Sequence, residues 1–245
     1  MPAFEFISPA KFNGVVTAKT LVADQTLAID FELEGDFRFN PGQYLSVDLP
    51  LSERYPKRAR RAYSIWTHPS EQGPLRFVAR LVPGGRASDY LAALSVGDPV
   101  GILGPFGVFV LREPNADDVY FVATGTGLAP LRNMIVELLE RPDNRSRIHL
   151  DLGFRYDNDV FGVDELLALT KSHDRFELSL SVSRPTEDWA GERGRLTAHW
   201  AKREFDPKHS QFYLCGSGPM INNMRELLLE RGLPETALFT EKYYD

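Results

Sequence analysis

The sequence has a single cysteine, no long apolar run and no excess of positive charge. Cys215 alone cannot form an intramolecular disulfide or hold an iron–sulfur cluster. No apolar run approaches the roughly 20 residues that span a bilayer, and the first residues lack the features of a signal peptide, so we expect a cytoplasmic protein. The formal net charge of -6 disfavours general nucleic-acid binding, and the five histidines lack ligand spacing, so no metal site is predicted.

The chain is long enough for two domains, and its apolar pattern changes near the middle. Its 245 residues are 43% hydrophobic, which is enough for a sizeable core. From residue 12 to about 111, apolar and polar residues alternate, as in TLAIDFEL (26–33), QYLSVDL (43–49) and LRFVARLV (75–82). This alternation predicts an antiparallel barrel or sandwich, with one short helix that begins at Ser88 and ends before Gly97.

Short apolar strands alternate with helical stretches after the polar connector REPNADD (112–118). The strands are predicted at VYFVAT (119–124), IHLDLG (148–153), FELSLSVS (176–183), FYLCG (212–216) and ALFTEKY (237–243). Strands separated by helices are typical of a parallel sheet with helices on both faces. The pattern therefore predicts a first domain of residues 1–113 and a second of residues 114–245.

Two glycine-bearing turns follow predicted strands of the second domain. In VATGTGLAP, a strand meets Gly125 and Gly127 and then a helix whose first turn holds Pro130. In LCGSGPM, Cys215 and Gly216 close a strand just before another helix. Helix N-termini in such turns can bind phosphate, and both turns would lie at the carboxyl edge of the sheet, where ligands bind. An ordinary strand-to-helix turn is the alternative for each one alone, but the pair favours a dinucleotide.

A strand and a turn in the first domain carry a second set of anion-binding features. RAYS (61–64) places Arg61 and Tyr63 on one face of a strand, with Ala62 and Ser64 on the other. VPGGRASDYL (82–91) places two glycines just before a predicted helix N-terminus. Together these features predict a surface for a phosphate-bearing aromatic ligand, and a solvated strand with a turn is the alternative.

Taken in chain order, these stretches resemble the ferredoxin–NADP reductase family, in particular the standalone bacterial ferredoxin or flavodoxin reductases. The resemblance covers essentially the whole chain and rests on RAYS (61–64), GGRAS (84–88), GPFGVF (104–109), GTGLAP (125–130), YLCGSGPM (213–220) and EKYYD (241–245). It implies a six-stranded antiparallel FAD-binding barrel followed by a five-stranded, parallel, Rossmann-like NADP-binding domain.

The resemblance also implies roles for individual residues. The catalytic group would comprise Ser64 near flavin N5, Cys215 beside nicotinamide C4, and Glu241 with Tyr243, and either Tyr243 or Tyr244 would cover the flavin ring. The FAD-binding set would comprise Arg61, Ala62, Tyr63, Ser64, Gly84, Gly85, Arg86, Ala87 and Ser88. The nucleotide-binding set would comprise Gly125, Thr126, Gly127, Arg155, Ser183, Arg184, Arg195, Gly216 and Gly218. Its three arginines match positions that hold the 2′-phosphate in NADP-using relatives, so NADPH is expected to be preferred over NADH.

The implied function is hydride transfer between NADPH and FAD, and single-electron transfer between FAD and a small ferredoxin or flavodoxin. Four basic residues in the stretch 53–66 have no role in FAD binding, so we expect them to dock the acidic partner: Arg54, Lys57, Arg58 and Arg60. The alternatives are a solubilising loop and surface ion pairs with the nearby Glu53 and Asp48. One rival function is the NADH-dependent reductase component of an aromatic-ring oxygenase system, because SRPTEDWAGERGR (183–195) resembles the W-x-G-x-x-G of that branch. A rival from another class is a non-catalytic nucleotide-binding electron-transfer subunit.

Overall fold

The computed structural model describes residues 6–113 and 116–244, without the side chain of Tyr244. The chain divides into two compact units. The first comprises Met1–Leu111 with Arg132–Met134, and the second comprises Arg112–Leu131 with Ile135–Asp245. In the described part of the chain, no helix is long and apolar enough to cross a membrane.

The first unit is built on a six-stranded antiparallel sheet with the order β4-β3-β6-β1-β2-β5. A bridge between Ile65, just after β4, and Phe77 of β5 joins the two edges and closes the sheet into a barrel. Leu45, Val47 and Leu49 of β3 are buried while their neighbours are half-buried, which confirms the predicted alternation. The elements are β1 (Ala10–Ala23), β2 (Thr26–Leu33), β3 (Tyr44–Leu49), β4 (Ala59–Ser64), β5 (Leu75–Arg80), α1 (Arg86–Ala93) and β6 (Pro99–Phe106).

The second unit is built on a parallel sheet with the order β10-β9-β8-β7-β11-β12. It has six strands rather than the predicted five, because a two-residue strand, β10, pairs with the end of β9. The strands are β7 (Asp118–Thr124), β8 (Arg147–Phe154), β9 (Phe176–Val182), β10 (Glu192–Arg193), β11 (Ser210–Ser217) and β12 (Leu238–Tyr244). The helices are α2 (Leu128–Glu140), α3 (Val163–Ser172), α4 (Leu196–Trp200) and α5 (Gly218–Glu230), with short 3-10 turns at Gly125–Gly127, Asp157–Asp159 and Glu235–Ala237.

The two glycine turns of the second unit are neighbours because of the strand order. Strand β7 lies in the middle of the sheet and buries its first six residues, as expected of a parallel strand covered on both faces. It pairs directly with β11, and Cys215 lies opposite Ala123 at the carboxyl ends of the two strands. The turns that follow β7 and β11 therefore meet at one edge of the sheet.

Candidate flavin and nucleotide sites

Strand β4 presents Arg61 on the surface of the first unit and buries Ser64. Arg61 and Ala62 are exposed, and Tyr63 is half-buried. The Tyr63 ring stacks on Phe77, with ring centroids 4.6 Å apart and planes inclined by 14°. Burial raises the pKa of Tyr63 to about 12, and the charge of Arg61 opposes this shift. The phenol is therefore neutral at physiological pH, and Arg61 makes no ion pair within the described residues.

Helix α1 offers its first amides without a side-chain cap. It begins at Arg86 with Gly85 as its N-cap, two residues before the predicted start at Ser88. The Ser88 hydroxyl is not a cap, because it accepts a hydrogen bond from the Val82 amide at 2.7 Å and closes the preceding turn. Gly84 adopts φ +72, and a Cβ there would meet nothing within 4 Å. Uncapped amides behind an open glycine suit a phosphate group.

Arg86 points to the neighbouring loop of the barrel. Its guanidinium donates to the carbonyl oxygens of Leu49 at 3.0 Å and Pro50 at 2.8 Å, and also to that of Lys57. The resemblance implies that Arg86 binds FAD, and in the structure these three carbonyls engage both of its terminal nitrogens, while its buried Nε has no hydrogen-bond partner among the described residues. Among the predicted FAD-binding residues, Arg61 and the amides of α1, including that of Ala87, remain available to an anion.

The turns after β7 and β11 pack against each other so closely that only glycine fits. A Cβ at Gly127 would lie 2.3 Å from the Cys215 carbonyl oxygen, and one at Gly216 would lie 2.2 Å from Thr124 Oγ1. The Ser217 amide also donates to Thr124 Oγ1 at 3.1 Å. The sequence prediction missed Thr124, although a hydroxyl residue closing an otherwise apolar strand is a usable signal.

Gly125 is the glycine of this pair of turns that faces open space. It has φ +56, in the left-handed region, and a Cβ there would meet nothing within 4 Å. Thr126 follows it in the same 3-10 turn, and Gly218 begins α5. Neither α2 nor α5 has a side-chain hydrogen bond at its N-cap. Pro130 lies in the first turn of α2 as predicted, and Pro219 lies in the first turn of α5. The edge of the sheet thus carries two uncapped helix starts side by side.

Three of the four predicted catalytic residues gather at the ends of β11 and β12. Cys215 pairs in register with Glu241, and its side chain shares a hydrogen bond with Tyr243. The thiol is completely buried, and burial raises its pKa well above the usual value. The charge of Glu241 raises this pKa further, while the Tyr243 hydrogen bond lowers it. At neutral pH, Cys215 is therefore a neutral thiol; Ser64, the fourth residue, belongs to the first unit.

The three arginines expected at a 2′-phosphate follow neighbouring strands of the second sheet. Arg155 follows β8, Arg184 follows β9 after Ser183, and Arg195 is the N-cap of α4. The Arg155 carbonyl accepts hydrogen bonds from the Arg184 amide at 2.8 Å and the Ser183 hydroxyl at 3.5 Å, which ties the two loops together. All three side chains are exposed, and none forms an ion pair within the described residues. The Arg155 guanidinium lies over the Tyr156 ring, 5.4 Å from its centroid.

The W-x-G-x-x-G stretch builds the loop between β9 and α4. The Trp189 indole donates to the Glu192 carbonyl at 3.1 Å, and a Cβ at Gly191 would lie 2.8 Å from the indole ring. Gly194 adopts φ +117. Arg193 donates to three carbonyls of the loop between residues 186 and 189. The motif therefore has a structural role here, and one terminal nitrogen of Arg193 is directed at the backbone of the loop.

Comparison with known proteins assigns a cofactor class to each unit. Residues 13–111 match the model of an oxidoreductase FAD-binding domain, and residues 121–226 match that of an oxidoreductase NAD-binding domain. These ranges fall in the barrel and in the parallel-sheet unit, and the predicted combination of folds is confirmed. The chain therefore combines a domain of the oxidoreductase FAD-binding family with a domain of the oxidoreductase NAD-binding family.

Individual relatives define the family more closely. The chain is 34% identical over 215 residues to ferredoxin–NADP reductase B of Sorangium cellulosum (strain So ce56), covering 84% of this chain and 86% of that protein. It is 32% identical over 238 residues to DmpP, the phenol 2-monooxygenase reductase component of Pseudomonas sp. (strain CF600), covering 95% of this chain but 65% of that relative. The crystal structure of the Amycolatopsis cytochrome P450 reductase GcoB matches with a TM-score of 0.87 and 25% identity, over 97% of this chain and 71% of that one. The chain belongs to the ferredoxin reductase-type FAD/NAD-binding family.

Proposed function

We propose that this protein is an NADPH-dependent FAD oxidoreductase that exchanges single electrons with a small ferredoxin or flavodoxin. The observation that carries the proposal is the group formed by Cys215, Glu241 and Tyr243 beside the Gly125–Gly127 turn. A neutral thiol, a carboxylate and uncapped helix starts at one sheet edge support a reactive nucleotide site there. Bound FAD would accept the electron pair of a hydride and release the electrons singly.

The choice of FAD rests on two features of the first unit. Arg61 and the uncapped start of α1 each offer a positive group to a pyrophosphate, which FMN lacks. We expect the purified protein to be yellow, to release FAD on heating and to bleach when NADPH is added without oxygen. Chromatography of the released flavin tests the cofactor, and FMN alone would contradict the assignment. A flavin that no nicotinamide nucleotide bleaches would favour the non-catalytic subunit.

The preference for NADPH is proposed to depend on the exposed arginines after β8 and β9. In Arg184→Ala, we expect kcat/KM for NADPH to fall about 10- to 100-fold, because a charge-assisted hydrogen bond contributes about 1.5–3 kcal/mol. The value for NADH should change little, since NADH lacks the 2′-phosphate. Arg145→Ala is the matched control, because Arg145 is an exposed arginine of the same unit that precedes β8 instead of following it. Equal efficiency with both nucleotides, unchanged in Arg184→Ala, would refute the preference.

A second candidate function is the NADH-dependent reductase component of an aromatic-ring oxygenase system. It is supported by the identity to DmpP and by the Trp189–Gly194 loop, which has the motif expected of that branch. Comparing kcat/KM for NADPH and NADH separates the two candidate functions, because an oxygenase reductase of this kind requires NADH to be the better electron donor.

Ion pairs engage two of the four basic residues that are expected to dock the partner protein. Arg60 pairs with Asp48, as the surface-pair alternative suggests, and Arg54 pairs with Asp89 at 3.0 Å. Lys57 and Arg58 are exposed, and their side chains make no ion pair within the described residues. We propose that these two residues supply the charge that attracts an acidic carrier protein, which mainly raises the association rate.

A further inference from the structure

The segment of residues 50–58 joins β3 to β4 without regular secondary structure. Arg54, Lys57 and Arg58 lie in it, in a chain with a net charge of -6. Its tip is closed by reciprocal hydrogen bonds between the backbones of Ser52 and Tyr55, at 3.0 and 3.2 Å. A surface connection of this kind would ordinarily be mobile, so the contacts that hold it are informative.

Arg86 clamps both ends of the segment to the first turn of α1. Its guanidinium reaches the carbonyls of Leu49 and Pro50 where the segment begins, and that of Lys57 where it ends. The planar guanidinium presents five donors in a fixed arrangement, which lets one side chain satisfy several acceptors. No carboxylate is involved, so the clamp fixes the backbone of the segment without neutralising a charge.

Asp89, also in the first turn of α1, holds the tip of the segment. One of its carboxylate oxygens accepts hydrogen bonds from Arg54 at 3.0 Å and from the Tyr55 hydroxyl at 3.1 Å. The Tyr55 ring lies 5.1 Å from the guanidinium carbon of Arg54 and 5.2 Å from that of Arg86. Five hydrogen bonds to one helix turn thus fix the segment at its start, tip and end.

We propose that Arg86 and Asp89 are positioning residues that hold segment 50–58 as a preorganised docking surface for an acidic electron-carrier protein. The inference rests on the proposed function and assigns its partner surface. With Arg54 neutralised by Asp89, the fixed segment presents Lys57 and Arg58 as its two unpaired cations among the described residues. Preorganisation matters because a mobile loop would lose conformational entropy on binding.

The decisive variant is Asp89→Asn, because a purely electrostatic role and a positioning role of Asp89 predict opposite changes in ferredoxin binding. Removing a negative charge beside a basic surface should by itself strengthen binding of an acidic partner. If Asp89 instead positions the segment, loss of its charge weakens the hydrogen bonds to Arg54 and Tyr55 and should raise KM for a small acidic [2Fe–2S] ferredoxin about 3- to 10-fold, with kcat and NADPH-driven reduction of neutral menadione unchanged. Asp36→Asn is the matched control, since it removes the same charge from the exposed Arg38–Asp36 pair elsewhere in the barrel.

Trypsin reports the state of the segment directly, because cleavage sites follow Arg54, Lys57 and Arg58. In the holoprotein we expect slow cleavage there, faster cleavage in Asp89→Asn and an unchanged rate in Asp36→Asn, since proteolysis follows local opening. A lower or unchanged KM in Asp89→Asn, or unchanged tryptic cleavage, would overturn the positioning role. Loss of flavin from this variant would also overturn it, because Asp89 would then act through the cofactor.

Charge reversal separates this inference from the proposed function. Lys57→Glu combined with Arg58→Glu should weaken ferredoxin reduction and flatten its dependence on salt, while menadione reduction is retained. If ferredoxin reduction weakens in the charge-reversed variant but not in Asp89→Asn, the docking surface is supported and the positioning role of Asp89 is contradicted. If neither activity of the reversed variant changes, the carrier docks elsewhere and the positioning inference fails with the docking surface.

Discussion

An alanine at position 127 is expected to destabilise the second unit by about 3 kcal/mol and to abolish NADPH-driven flavin reduction. The added Cβ would lie 2.3 Å from the carbonyl oxygen of Cys215, 2.6 Å from its carbonyl carbon and 2.8 Å from the Gly216 amide nitrogen. All three atoms are backbone, so no rotamer change relieves the overlap and two strand ends must separate. Overpacking of this kind costs about 1–3 kcal/mol, and a backbone clash belongs at the upper end. Urea unfolding measures the loss.

Gly125→Ala is the control for this substitution. It adds the same methyl group two residues earlier, where nothing lies within 4 Å, so its cost is the left-handed backbone at φ +56, about 1–2 kcal/mol. We expect this variant to remain folded and to lose nucleotide affinity more than stability, because Gly125 faces the proposed ligand. Equal unfolding free energies for the wild type and Gly127→Ala would show that the two turns do not pack as described.

The apolar patterns predicted most of the fold because burial dictates them. Apolar and polar residues alternate in β3 because only one face of this strand is buried. The apolar run of β7 is continuous because both faces of that strand are buried. Strand β10 was missed because its two residues, Glu192 and Arg193, carry no apolar period and pair only through their backbone. The start of α1 was placed two residues late because Ser88 resembles a cap but bonds the Val82 amide instead.

The candidate site could be predicted only in part because its contacts connect distant segments. Glycines before helices indicated phosphate-binding turns, but their spacing does not reveal that Gly127 packs on Cys215. The neighbouring positions of Cys215 and Glu241 depend on the register of β11 and β12, which the family resemblance suggested and local patterns do not contain. The carbonyl contacts of Arg86 had no sequence signal, because a guanidinium can donate to backbone carbonyls as well as to phosphates, and the sequence does not show which acceptor lies nearby.

Replacing Cys215 with alanine is expected to slow NADPH-driven flavin reduction about 100-fold while the bound FAD is retained. The sulfur is buried between neighbouring strand ends and shares a hydrogen bond with Tyr243, so its loss alters how the end of β12 is held. A displacement of about 1 Å between reacting groups costs on the order of 100-fold in rate. Stopped-flow bleaching of the flavin measures this step, and Cys215→Ser, which keeps a small hydrogen-bonding group, should fall between alanine and wild type.

The protonation state of Cys215 separates this positioning role from nucleophilic catalysis. Burial raises the thiol pKa well above its usual range, so the neutral form persists as the pH rises and the folded state favours it. The stability that Cys215 contributes should therefore be fully present below the unfolded thiol pKa of about 8.5 and decline at higher pH. Because the thiolate is the reactive species, iodoacetamide should modify the unfolded protein but not the folded protein at neutral pH. Rapid alkylation of the folded enzyme, or a reduction rate that rises with a thiol titration near neutrality, would instead identify Cys215 as an ionised nucleophile.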